Sequence, residues 1–269
     1  MNVLLDPAAK LVIAHRGNSA HFPENTLESL RQGMALGVDA IEFDVRLSRD
    51  GHAVVIHDPT VDRTTDGTGA VSAWTLDALR QLDAGYRFTP DGGATFPFRG
   101  RGMSIPTLEL VLSVFPGVPM IVEVKTPEAS AEVKRLLASA GAEGRCLIGS
   151  FDDAAIAPFR GTPFAHSASR REVIRLYARS LLPGAPSRLP YQALAIPPAF
   201  DGIPLPVMRF ARMARHAGAT THVWTVDDPA RARRYWVGAV NGIITNDPGT
   251  ILASAGRAGA ASRPPSPQA

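Results

Sequence analysis

Two rhythms of apolar and polar positions run along this chain: short apolar runs of strand type, and longer segments with helical spacing. The first run, Leu11-Val12-Ile13-Ala14, reads as a buried strand and stops on His15-Arg16-Gly17. Pro23-Glu24-Asn25-Thr26 opens an amphipathic helix to about Leu36, with Leu27, Leu30 and Met34 on its apolar face and Gly37 closing it. Residues 39–45 form a second strand. Asp50-Gly51 marks a turn, and residues 53–56 follow as a third strand with no room for a crossover helix. Helices over residues 108–115 and 128–140 precede and follow a strand at 120–125, and Cys146–Gly149 is the next strand. Short strands near Phe164 and Ala193 flank a basic helix at 170–179. A helix at 207–216, a strand at 221–226, a helix from about Pro229 and a strand at Gly242–Thr245 complete the pattern.

Strands that alternate with helices predict a mostly parallel α/β sheet. The strands end on His15-Arg16, Glu42 and Asp44, His57-Asp58, Glu123 and Lys125, Trp224, and Asn246-Asp247. A (β/α)8 TIM barrel places its chemistry at those C-terminal strand ends, so this is the predicted fold. The nine candidate strands exceed the eight of a closed barrel, and the run near Ala193 is the weakest of them. Residues 53–56 are read as a barrel strand beside the second one, delivering His57. Residues 1–254 are expected to form one barrel domain with an irregular insertion at about 84–106 that has too little apolar periodicity for its own core. The Ala-, Gly-, Pro- and Ser-rich tail, 255–269, is expected to be disordered.

Composition narrows the class. The net charge is +3 with no Lys/Arg run, which gives no nucleic-acid footprint. The lone Cys146 excludes a disulfide framework within the chain and suits a reducing compartment. No apolar run is long enough for stable membrane insertion, and no basic segment followed by an apolar core marks a signal peptide, so a soluble, cytoplasmic protein is expected.

Glu42 and Asp44 are acids within an apolar strand pattern, where strand propensity disfavours them. Two residues apart on an extended chain, they share a face within about 7 Å of each other. If Glu123 joins them, three carboxylates repel unless a cation or protons offset them. An all-oxygen set favours one divalent cation, Mg²⁺ or Ca²⁺, over zinc. The competing reading is structural pairing, Glu123 with Lys125 and Asp44 with Arg46. His15 and His57 end apolar strands beside the acids and could divide proton transfer between them. Arg16 and Lys125 supply positive charge for an anionic substrate. Together these residues suit phosphoester cleavage. Glu24-Asn25 read equally as partners of this site or as a helix cap, and Asp58 as a partner of His57 or of loop amides. The remaining histidines, His222 included, are read as structural or surface residues.

In order, His15-Arg16-Gly17, Pro23-Glu24-Asn25-Thr26, Glu42-x-Asp44-Val45, Asp50-Gly51, His57-Asp58, Glu123-Val124-Lys125, Val223-Trp224-Thr225-Val226 and Gly242 to Pro248 resemble the signature of glycerophosphodiester phosphodiesterases, phosphodiesterase barrels related to phosphatidylinositol-specific phospholipases. The resemblance implies a phosphoric diester hydrolase that converts glycerophosphodiesters to sn-glycerol 3-phosphate and an alcohol with a divalent cation. It implies His15 and His57 as the catalytic pair and Glu42, Asp44 and Glu123 as metal ligands. Arg16 and Lys125 would contact phosphate and Trp224 would pack on substrate, while the insertion would shape selection of the alcohol. The partner is then a small-molecule diester, and nothing in the sequence specifies an oligomer. Two alternatives remain: a related barrel phospholipase or lyase acting on a lipid headgroup, and a non-catalytic barrel that binds phosphodiesters.

Overall fold

The inward and outward rows of the first strands already contain the plan of the molecule. In a computed structural model, which describes residues 2–257, Leu11–His15 (β1), Ala40–Leu47 (β2) and Met120–Val124 (β4) are neighbouring parallel strands. Alternate side chains point to opposite faces of a strand. On one face Leu11, Ile13, Ala40 and Ile121 pack with Leu4, Leu147 and Ile244 in the barrel interior. On the other, Val12, Ala14, Ile41, Phe43 and Val122 pack in the larger cluster beneath the helices. Continuing the inward rows in steps of two gives His15, Glu42, Asp44 and Glu123. The periodicity that fills the barrel therefore also aims the site residues.

Residues 53–55 (Ala53–Val55, β3) pair antiparallel with β2, Val45 opposite Val55 and Leu47 opposite Ala53. This corrects the expectation of a barrel strand. A parallel neighbour needs a long crossover, and the turn at Asp50-Gly51 allows only a hairpin. The strand near Ala193 is the real barrel member. Cys146–Gly149 (β5), Ala165–His166 (β6), Ala193–Ile196 (β7), Thr220–Val223 (β10) and Gly242–Thr245 (β11) continue the sheet in the order β6-β5-β4-β2-β1-β11-β10-β7. A parallel bridge from Ser167 to Ala193, with the Ala168 amide donating to the Ala193 carbonyl at 2.9 Å, brings its two ends together. Ala199–Phe200 (β8) and Ile203–Pro204 (β9) form a small hairpin outside the barrel.

Helices Leu27–Ala35 (α1), Leu76–Arg80 (α2), Leu108–Val114 (α3), Ser130–Ser139 (α4), Asp153–Ile156 (α5), Arg170–Ser180 (α6), Val207–His216 (α7), Pro229–Val237 (α8) and Pro248–Ser254 (α9) follow the strands. Their starts are set by side chains: Thr26 accepts from the Ser29 amide at 3.2 Å, and Ser169 with Glu172 forms a capping box on α6. Among the described residues no helix is long and apolar enough to cross a membrane.

The N-terminal segment closes the barrel floor. Leu4 is fully buried there, and its carbonyl accepts from Thr220 Oγ1 and His222 Nε2, each at 2.9 Å. His222 is therefore an interior residue on the floor, far from the strand ends that carry the acids. Between β3 and α3, Val54, Ile56, Val71, Leu79 and Ile105 make a separate small cluster. Phe98 of the insertion stacks against Phe22 and Phe88, each ring pair 5.3 Å apart. The expected tail falls almost wholly outside the described residues; within them, Arg257 pairs with both oxygens of Asp39 at 2.8 Å.

Candidate active site

Strand register sets the site. His15 lies opposite Glu42 between β1 and β2, and Asp44 lies opposite Glu123 between β2 and β4. Oxygen atoms of Glu42, Asp44 and Glu123 come within 4.8 Å of one another. Both readings of the acids are thus partly realised. Lys125 Nζ lies 2.7 Å from Asp44 Oδ1 and 2.7 Å from Glu123 Oε1, as the pairing reading required for Glu123. Arg46 does not pair with Asp44; its Nε donates to the His57 carbonyl at 2.8 Å and holds the end of β3. Arg16 Nε lies 3.1 Å from Asp44 Oδ2 instead.

Glu42 is the acid that these cations leave over. It is buried, accepts from the Arg16 amide at 3.2 Å and lies 3.8 Å from His15 Nε2, and among the described residues it has no Lys or Arg ion-pair partner. Burial, together with the charges of Asp44 and Glu123, pushes its carboxyl well above the usual range. Burial also raises Glu123, against the pull of Lys125. Burial would raise Asp44 too, but Lys125, Arg16 and His57 outweigh it and hold that carboxyl below the usual range. An all-oxygen cluster containing a buried, uncompensated carboxylate fits a hard divalent cation.

The two histidines are held differently. His15 Nδ1 lies 2.7 Å from Asn246 Oδ1, while Asn246 Nδ2 donates to Asp227 Oδ2 at 3.0 Å. That second bond turns the amide oxygen toward His15, so His15 carries its proton on Nδ1 and presents a bare Nε2. Burial, with the Arg16 guanidinium beside it, lowers His15 to about 4. His57 Nδ1 instead lies 2.5 Å from the Asp58 carboxylate. Arg63 then links Asp58 (Nε to Oδ2, 2.5 Å) to Glu24, and Glu24 accepts from Arg16 Nη1 at 2.9 Å. Asn25 Nδ2 donates to Asp44 Oδ2 at 2.9 Å, so Glu24 and Asn25 serve the site and Thr26 is the cap.

Arg16 and Asn25 both adopt left-handed backbone, φ 56° and 58°. Such residues are uncommon and gather where neighbouring structure fixes them. Gly17 next to them is required outright: at φ 88° a Cβ would sit 2.3 Å from the Ser29 backbone of α1.

His15, Arg16, Glu42, His57, Glu123 and Lys125 all line one end of a cavity of about 350 Å³, and Trp224 lies on its wall. The insertion does not line it. Phe151, Tyr177, Phe200 and Ile203, from segments after β5, β6 and β7, are among the residues that continue the wall. Sequence reading missed Arg63, Asn246 as a partner of His15, and this wall. The Asp58-x4-Arg63 spacing was visible, but only the loop path gives it meaning.

The pattern of the glycerophosphoryl diester phosphodiesterase family matches residues 15–250. The chain is 34% identical over 249 residues to a glycerophosphodiester phosphodiesterase of Caldanaerobacter subterraneus subsp. tengcongensis, covering 90% of this chain and 96% of that one. The crystal structure of a glycerophosphodiester phosphodiesterase from Agrobacterium tumefaciens superposes with a TM-score of 0.72 at 28% identity, covering 90% of this chain and 99% of that one. An Oleispira antarctica phosphodiesterase in complex with the product sn-glycerol-3-phosphate gives 0.73 at 26% identity, covering 91% and 96%. With that match and the barrel that carries it, the chain belongs to the glycerophosphoryl diester phosphodiesterase family.

Proposed function

We propose that this protein hydrolyses glycerophosphodiesters to sn-glycerol 3-phosphate and an alcohol, with His15 and His57 as the acid–base pair. Glu42, Asp44 and Glu123 would hold one divalent cation, Mg²⁺ or Ca²⁺. The observation that carries the reading is the convergence of both histidines, Glu42, Glu123 and two basic residues on one cavity, with the buried Asp44 carboxylate within 4.8 Å of the two acids. Family membership and the product named for the Oleispira relative support the substrate class.

Arg16 and Lys125 face the phosphate end and draw an anionic diester to it. When bound, a divalent cation polarises phosphoryl oxygens and stabilises charge that develops there. His15 Nε2, left without a proton by the bond its Nδ1 makes to Asn246, takes one from the attacking hydroxyl. That hydroxyl is either water or the substrate's own glycerol hydroxyl. His57 Nδ1 is held by the Asp58 carboxylate, and the ring so fixed serves as the proton donor to the leaving alkoxide. Asp58 and Arg63 keep that ring in place.

The test is product identity. Glycerophosphocholine, glycerophosphoethanolamine and glycerophosphoglycerol are supplied with Mg²⁺ or Ca²⁺, and sn-glycerol 3-phosphate is assayed. Its release from at least one diester is expected. A protein that binds these diesters and cleaves none would be a non-catalytic barrel.

A further inference from the structure

The cavity has two unlike ends. Its inner end carries the charged groups described above. Beyond Trp224 the wall turns apolar and stays so to the mouth. The Trp224 ring meets Phe151 edge-on at 5.7 Å, and Phe151 continues to Phe200 at 5.9 Å. Helix α6 then adds Ile174 and Tyr177, and the β8–β9 hairpin adds Ile203. These are not core residues. Ile174 is 61% exposed, Ile203 60%, Phe151 40% and Tyr177 37%. A contiguous apolar surface open to water marks a binding site when it joins a cleft.

We infer that the preferred substrate is a glycerophosphodiester carrying one long acyl chain, which lies along Phe151, Ile174, Tyr177, Phe200 and Ile203 while the phosphate sits at the charged end. This rests on the hydrolase reading above. A small polar alcohol needs hydrogen-bonding partners where it leaves, and the outer wall supplies almost none. The rim charges Arg170 and Asp201 lie 3.6 Å apart and offset each other, and Arg170 stacks on Phe200 at 4.8 Å. An aromatic cage for a quaternary ammonium accounts for the rings but not for Ile174 and Ile203, which have no attraction for a cation. An alkyl chain suits both kinds of surface.

The chemistry is hydrolysis. Oxygen from water bonds to phosphorus, the phosphorus–oxygen bond to the alcohol breaks, and a proton passes to that alcohol. If the chain is on the glycerol, as in lysophosphatidylcholine, the products are acylglycerol 3-phosphate and choline. If it is on the alcohol, as in glycerophospho-N-acylethanolamine, they are sn-glycerol 3-phosphate and N-acylethanolamine.

The experiment compares kcat/KM for glycerophosphocholine with both acylated series, hexanoyl to dodecanoyl, as monomers below their micelle-forming concentrations. Each methylene that reaches the wall is expected to raise kcat/KM about fourfold, so that one series exceeds glycerophosphocholine at least about 100-fold. The series that responds identifies where the chain is attached. The Ile174→Ser/Ile203→Ser double variant, checked for unchanged thermal unfolding, is expected to lower the ratio of acylated to unacylated kcat/KM at least about tenfold. Turnover of glycerophosphocholine with no gain from either chain, or a ratio unmoved by the double variant, overturns the inference and leaves the hydrolase reading intact. No turnover of any diester overturns both.

Discussion

The Arg63 guanidinium holds both oxygens of Glu24, Nη2 to Oε1 at 2.7 Å and Nη1 to Oε2 at 2.8 Å. Its Nε reaches Asp58 at the same time. One exposed arginine thereby connects the partner of Arg16 to the partner of His57, across the mouth of two different strand–loop units. Arg63 is a positioning residue, since it neither lines the cavity nor pairs with Glu42, Asp44 or Glu123. Arg63→Met should lower kcat by about 10- to 100-fold while KM changes little, with partial rescue in Arg63→Lys. Equal losses of kcat in the Met and Lys variants would mean that Arg63 only stabilises its loop.

His15→Ala and His57→Ala should each lower kcat by roughly 10²–10⁴-fold with the fold retained. Thermal unfolding and kcat measured on the same preparations check this. Near-normal turnover in either variant removes that residue from the acid–base pair.

His222 provides a stability prediction separate from catalysis. Burial lowers it from 6.5 to about 4, against the bond to the Leu4 carbonyl. The unfolded chain therefore binds more protons than the folded one between those values, and stability from this group falls as pH drops from 6.5 toward 4. The loss is about 3 kcal/mol. Urea unfolding across that window should show a shallower pH slope in His222→Gln than in the parent. Coincident slopes would show that the His222 proton is not linked to folding.

Gly17→Ala should destabilise by about 1–3 kcal/mol or more, because both the positive φ and the Ser29 backbone resist a methyl group. The readout is Tm. Gly51→Ala is the control, since its Cβ meets nothing within 4 Å and only its φ of 83° opposes the change. An equal loss in both variants would make the close approach of α1 irrelevant.

The two-residue period let the sequence place Glu42 and Asp44 on one face, because strand geometry fixes where alternate side chains point. Register then aligned Asp44 with Glu123, which no local pattern encodes. The apolar run at 53–56 and the one at 193–196 look alike in composition, and only their connections separate a hairpin arm from a barrel strand. The short link at Asp50-Gly51 was the available signal, since it forbids a parallel neighbour. Prolines at 183, 186, 190, 197 and 198 made the true barrel strand look like loop. Arg63 and Asn246 were hidden for another reason: both act through loop paths, where sequence distance says little about distance in space. The insertion misled in the opposite direction. Its phenylalanines pack on Phe22 and on each other, and the cavity wall comes from the other side of the barrel.

The central claim is that Glu42, Asp44 and Glu123 hold a divalent cation on which hydrolysis depends. It is tested most directly by the rate of sn-glycerol 3-phosphate release after EDTA treatment and again after adding Mg²⁺ or Ca²⁺, with Glu123→Gln measured alongside. The account predicts a loss of about 100-fold or more, recovery with at least one of the two ions, and no recovery in Glu123→Gln at the same ion concentration. Undiminished release in excess EDTA would contradict it.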